Sequence, residues 1–253
     1  MASATMQQAP EAPETPQRVN PFSRIVGVIF SPKETFASIA RRPTWLAPTV
    51  LLCLCTLGVV AAFGSRPDAW RAYMQRQLDS SSRFQQLSQQ QQQQALAVQL
   101  KYAPIFAYPE VVLADFLLVL IIALVYWGVF SVGAGIKVNF KTSLGITAHA
   151  WFPFFLSGLL AIVVVLLKDP ADVDLNNPLA ADVGAFLPTG TAKWLVAMCH
   201  SLDIFSIWVL CLLALGFSAV SPKKLKFGGA LLWVVAIWLV YVLAKGGLTA
   251  AFS

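Results

Sequence analysis

Five stretches of about 20 largely apolar residues leave this chain few ways to fold, because a bilayer core about 30 Å thick is crossed by about 20 helical residues rising about 1.5 Å each. They cover residues 45–63, 111–132, 145–167, 194–220 and 228–244, the last short unless it extends to Leu248. None alternates apolar and polar side chains with period two, so helices are predicted and barrel strands are not. The predicted fold is all-α, a polytopic transmembrane helical bundle of five spans within residues 45–248, with the lipid bilayer as its solvent. Only 12% of the 253 residues are charged, about half the share in an average soluble domain. Lys and Arg number 18 against 12 Asp and Glu, a formal charge of +6. These basic residues flank apolar runs, so they read as membrane anchors and not as a nucleic-acid surface.

Five spans put the first residues and the links 133–144 and 221–227 on one side. Both links contain lysines (Lys137 and Lys141; Lys223, Lys224 and Lys226) and no acid, whereas the opposite loop at 168–193 holds Asp169, Asp172, Asp174 and Asp182. The short basic links predict that side to be the inner one, with the N-terminus inside and the C-terminus outside. Residues 1–19 carry Glu11 and Glu14 and no apolar run, and read as a disordered tail and not a signal peptide. Cys53, Cys55, Cys199 and Cys211 all lie in apolar stretches, where thiols pack as small hydrophobes, so neither a disulfide framework nor a metal cluster is expected. No cofactor is implied.

Residues 20–44 are predicted to form two amphipathic helices before the first span. Asn20 caps a helix begun by Pro21, with Phe22, Ile25, Val26, Ile29 and Phe30 on one face. A second starts at Ser31-Pro32-Lys33-Glu34, read as a capping box, with Phe36 and Ile39 inward. Arg24, Lys33, Arg41 and Arg42 would then meet anionic headgroups at the inner surface. The pair is either an ordered linker or a docking surface for protein partners. Ser221-Pro222 is expected to start the fifth span in a similar way. The loop 64–107 is predicted to hold two polar helices outside the membrane, a solvated spacer or an interfacial element anchored by Trp70 and Tyr73.

A charge near the middle of a span costs about 2.5–3.5 kcal/mol on insertion scales, so ionisable residues there need a reason. Asp203 is predicted near mid-membrane in the fourth span, with His200 and Ser206 on the same face and His149 of the third span within reach. These four form either a site for a proton, ion or lipid headgroup, or interhelical hydrogen bonds joining two spans. Pro153 is expected to kink the third span, and Asp115 to snorkel outward from the end of the second. Gly58 with Ala62, Ser131 with Gly135, and Ala214 with Ser218 are candidate close-approach pairs. No H-E-x-x-H, G-x-S-x-G or G-x-x-x-x-G-K-[ST] occurs, and Ser201, His200 and Asp203 on one helix cannot form a relay.

The run PFSRIVGVIFSPKETFASIARRPTW before a span, the sequence AHAWFPFF opening the third span, and Ser201-Leu202-Asp203-Ile204-Phe205-Ser206-Ile207-Trp208 resemble the bacterial branch of the Yip (Ypt-interacting protein) family over residues 20–248. The resemblance implies an integral protein of the bacterial cytoplasmic membrane, non-enzymatic, acting as a scaffold or membrane-organising factor. A small transporter or lipid-handling protein built on the polar site around Asp203 is the alternative. The Asp-Leu-Tyr-Gly-Pro element of eukaryotic relatives is missing before the first span, so their GTPase binding is not carried over.

Overall fold

The computed structural model describes residues 20–252 apart from 67, 80, 176 and 189; the tail expected at 1–19 lies outside the described residues. Eleven α-helices follow one another among these: α1 (Pro21–Phe30), α2 (Pro32–Arg41), α3 (Leu46–Gly64), α4 (Ala69–Asp79), α5 (Ser82–Gln85), α6 (Gln89–Gly128), α7 (Phe140–Ala150), α8 (Phe152–Leu167), α9 (Lys193–Cys199), α10 (Ile204–Val220) and α11 (Phe227–Phe252). The all-helical expectation holds. Four helical segments, Leu46–Gly64, Gln89–Gly133, Phe140–Leu167 and Phe227–Phe252, are long and apolar enough to cross a bilayer. The fourth predicted span, 194–220, falls short. Its chain breaks at residues 200–203, and α10 has 17 residues, or about 25 Å.

Packing centres on the α2 and α10 contact. Phe36 and Ile39 of α2 are fully buried, as are Ile146 of α7 and Leu213 and Phe217 of α10. The Phe130 and Phe217 rings stack with centroids 4.1 Å apart. The pre-membrane elbow is therefore part of the core and does not simply lie on a surface. Its Asn20 cap is present, Oδ1 accepting from Phe22 N–H at 3.0 Å. The capping box expected at Ser31 is not formed, since the Ser31 side chain makes no cap hydrogen bond. Ser31 instead sits between two abutting helices, its N–H donating to Gly27 O at 2.9 Å.

Three further expectations change. The loop 64–107 is not separate from the second span, because α6 runs unbroken for 40 residues from the Gln tract through Pro104 and Pro109, started by a Ser88–Gln91 capping box. Glutamine is a good helix former, so polarity ends the apolar run without ending the helix. The other loop helix, α4, is packed on the bundle and is not a free solvated spacer. It folds back on α3, with Phe63 edge-on to Trp70 at 5.6 Å and to Tyr73 at 6.1 Å. Ser221-Pro222 makes a turn, closed by Lys224 N–H and Leu225 N–H on Ser221 O, and α11 starts only at Phe227. The third span does divide, at Trp151, which leaves Pro153 in the first turn of α8, where its missing N–H costs nothing.

Candidate functional site

Asp203 does not sit inside a helix. The chain leaves α9 at His200, runs extended at Asp203, and pairs there with Asp182, Val183 N–H donating to Leu202 O at 3.1 Å. Asp203 is the N-cap of α10: Oδ1 accepts from Phe205 N–H at 2.8 Å and Ser206 N–H at 2.9 Å, and the Ser206 hydroxyl donates to Oδ2. The expectation of His200, Asp203 and Ser206 on one mid-span helical face is thus corrected. A carboxylate at a helix N-terminus satisfies donors that no preceding turn can reach, and the positive end of the helix dipole favours it. Asp203→Asn should leave the thermal midpoint in detergent nearly unchanged, because Asn caps as well as Asp. Asp203→Ala should lower stability by about 1 kcal/mol; equal midpoints for both variants would show that the cap contributes nothing.

His200 is held from the loop side. Its Nδ1 lies 2.7 Å from Asp182 Oδ1, which also accepts from Ala185 N–H at 3.1 Å. Asp182 is buried while His200 is about one-third exposed. The spacing leaves no room for a larger residue at Gly184, where a Cβ would stand 2.7 Å from His200 Nδ1. With Nδ1–H given to Asp182, the imidazole's Nε2 is the atom left for a ligand.

Two adjoining cavities share His200 and Phe154 as walls. One, of about 290 Å³, lies among α6, α8, α10 and α11, with Ser201, Ser206, Tyr241 and Lys245 at its polar end. The other, of about 170 Å³, is lined by Asn177, Asp182, Asp203 and Ser157. Sequence reasoning missed Lys245, Tyr241, Asp182 and Asn177, since nothing in their spacing links them to residue 200.

His149 is not part of this group. Its Nδ1 hydrogen-bonds Gly145 O at 2.8 Å, and Nε2 is buried without a partner. Ile146 packs on Gly216, which puts His149 roughly 15 Å below Asp203 along the bundle axis by helical rise. Of the four expected inner-surface contacts, Lys33, Arg41 and Arg42 are exposed, but Arg24 is 3% exposed and turned inward. Its guanidinium donates to Arg42 O at 2.7 Å, Thr44 Oγ1 at 2.9 Å and Ser38 Oγ at 2.9 Å. Burial, with the Arg42 charge beside it, pushes its pKa below the ordinary arginine value. Asp115, expected to snorkel, has a buried Oδ2 with no partner and faces Thr56, the eleventh of the 19 residues of α3. It lies inside a continuous α6, opposite the middle of α3.

All four cysteines are free thiols, and among the described residues no group of three or more His, Cys, Asp or Glu is placed to share a metal ion. The Yip1 domain model matches residues 26–244, from the elbow to the polar end of α11. The chain belongs to the Yip1 domain family. This Yip1 domain is an integral membrane protein, with apolar helices in contact with lipid. No curated protein and no solved structure matches it.

Proposed function

We propose that this Yip1 domain is a non-enzymatic membrane-organising scaffold whose elbow is a wedge in one leaflet. The observation that carries this is the two-sided character of α1. Arg24, Ile25 and Val28 face the bundle and are buried, while Phe22, Val26 and Phe30 are 70%, 53% and 81% exposed. A helix apolar on both faces suits one wall of protein and one of lipid. A groove of about 750 Å³ between α1 and the first turns of α3 carries the apolar surface from Phe22 down to Leu54. Exposed Lys33, Arg41, Arg42 and Lys141 ring this end, and suit anionic headgroups or a protein partner at the same surface. Because α2 is locked into the core, the wedge cannot retract, and the area it adds to one leaflet is fixed.

The scaffold is read as an elbow (20–44) on a five-crossing domain (45–248), with α9 and α10 together making the fourth crossing. The descent of α10 from the loop end to the start of α11 supports that count. The lysine-bearing links support an inner N-terminus and an outer C-terminus in a bacterial cytoplasmic membrane. Reconstituted at rising density into large vesicles, the full chain should reduce vesicle diameter or draw tubules visible by electron microscopy. Phe22→Ser/Val26→Ser/Phe30→Ser should abolish this while retaining helicity; identical vesicles with both proteins would end the wedge reading. A second reading, a small transporter or lipid-handling protein, is favoured by the paired cavities at His200.

A further inference from the structure

Lys245 is the nineteenth residue of α11, roughly 27 Å above its start and so at headgroup height on the loop side. It is half-buried at the polar end of the larger cavity, and among the described residues the only hydrogen-bond partner of its ammonium is Ser201 Oγ at 3.4 Å. An ammonium has three N–H groups to give. Two remain for an acceptor in the cavity.

The neighbouring carboxylates do not supply it. Asp203 is engaged by two backbone amides and the Ser206 hydroxyl, and Asp182 by Ala185 N–H and His200. A carboxylate has about four lone-pair sites, so both can still receive a cation in the smaller cavity they line. The larger cavity changes character with depth, from Lys245 and Ser201 to Leu118, Ile122, Leu213 and Ile237. One end therefore offers a cation with nothing to neutralise it, the adjoining pocket offers two carboxylates, and the far wall is hydrocarbon.

We propose that the two cavities together bind one zwitterionic aminophospholipid. Its phosphate sits on Lys245 and Ser201, its headgroup ammonium turns toward Asp182 and Asp203, and an acyl chain follows the apolar wall. A purely anionic headgroup would bring its second acidic or hydroxyl end to the carboxylates without a compensating charge, and a simple amine would leave Lys245 unanswered. The inference rests on the second reading for the place of the site, but concerns binding and not movement of lipid.

The test uses full-length protein in mild detergent, offered equal amounts of phosphatidylethanolamine and phosphatidylglycerol with the same acyl chains, and native mass spectrometry of what it retains. The wild type should retain the ethanolamine lipid about tenfold over the glycerol lipid, equivalent to about 1.4 kcal/mol. Lys245→Ala should lose most bound lipid, and Asp203→Asn, which keeps the helix cap, should keep lipid but lose the headgroup preference. Equal retention of both lipids by the wild type overturns the proposal even if Lys245→Ala proves unstable. So does a Lys245→Ala variant that folds and binds as the wild type does, which would mark the lipid as annular. Flip of labelled phosphatidylethanolamine in vesicles is measured separately: retention without flip leaves this site standing and removes the lipid-handling reading.

Discussion

Arg24→Ala should release the elbow from the bundle and cost about 3 kcal/mol, the scale of losing two or three hydrogen bonds from a charged donor. The guanidinium ties α1 to three points, the Ser38 hydroxyl in α2, the carbonyl of Arg42 at its end, and the Thr44 hydroxyl in the turn into α3. Alanine leaves those acceptors without their donor and opens space under a residue that is 3% exposed. Arg24→Lys keeps the charge but replaces a planar fork with one point donor, and should recover less than half of the loss. Two measurements check this. The thermal midpoint in detergent should fall, and trypsin should cut after Arg41 far faster in the variant. Unchanged cleavage together with an unchanged midpoint would mean that the apolar contacts of Phe36 and Ile39 hold the elbow unaided.

The elbow also shows how far a sequence of this kind can be read. Its two helix starts were visible because Asn20-Pro21 and Ser31-Pro32 are local signals, acting through residues two or three apart. The first span, expected at 45–63 and found at Leu46–Gly64, was visible because hydropathy depends on each side chain alone. The inward turn of Arg24 was not, since it depends on acceptors 14 to 20 residues away. The fourth span failed differently. Hydropathy sees an apolar stretch from Trp194 to Val220 and is blind to a backbone break inside it. An Asp followed by an apolar run is nonetheless an N-cap signal, so Asp203 could have been placed at a helix start from the letters. Asp115 was read as a span end because the apolar window starts near it, yet the helix continues back to Gln89. The small-residue pairs were legible only in part: Gly58 does lie close to Ile162, 3.1 Å from where its Cβ would be, but Gly135, at φ +62, lies past the end of α6 and outside any helix.

The close approach that matters most was in none of those pairs. Gly216 of α10 faces both α7 and the elbow: a Cβ there would stand 2.3 Å from Ile146 Cγ2 and 3.0 Å from Phe36 Cδ1. Ile146 and Phe36 are fully buried, so neither has space to yield. Gly216→Ala gains about 1 kcal/mol of helix propensity, but overpacking of a filled core costs about 1–3 kcal/mol, so the net change should be destabilising. Gly216→Leu should prevent assembly of the elbow altogether, seen as aggregation in detergent or tryptic cleavage at the elbow. Gly228→Ala in α11, with nothing within 4 Å of its Cβ position, should do the opposite and raise the midpoint. Combining Gly216→Ala with Ile146→Ala removes the Cγ2 methyl and with it the closest clash, so the double variant should be more stable than the sum of the single changes. Additive losses would place the strain elsewhere, on Phe36 and so on the elbow. That outcome would weaken the fixed-wedge reading, because a ring that moves aside to admit a methyl group cannot be what holds α2 in place.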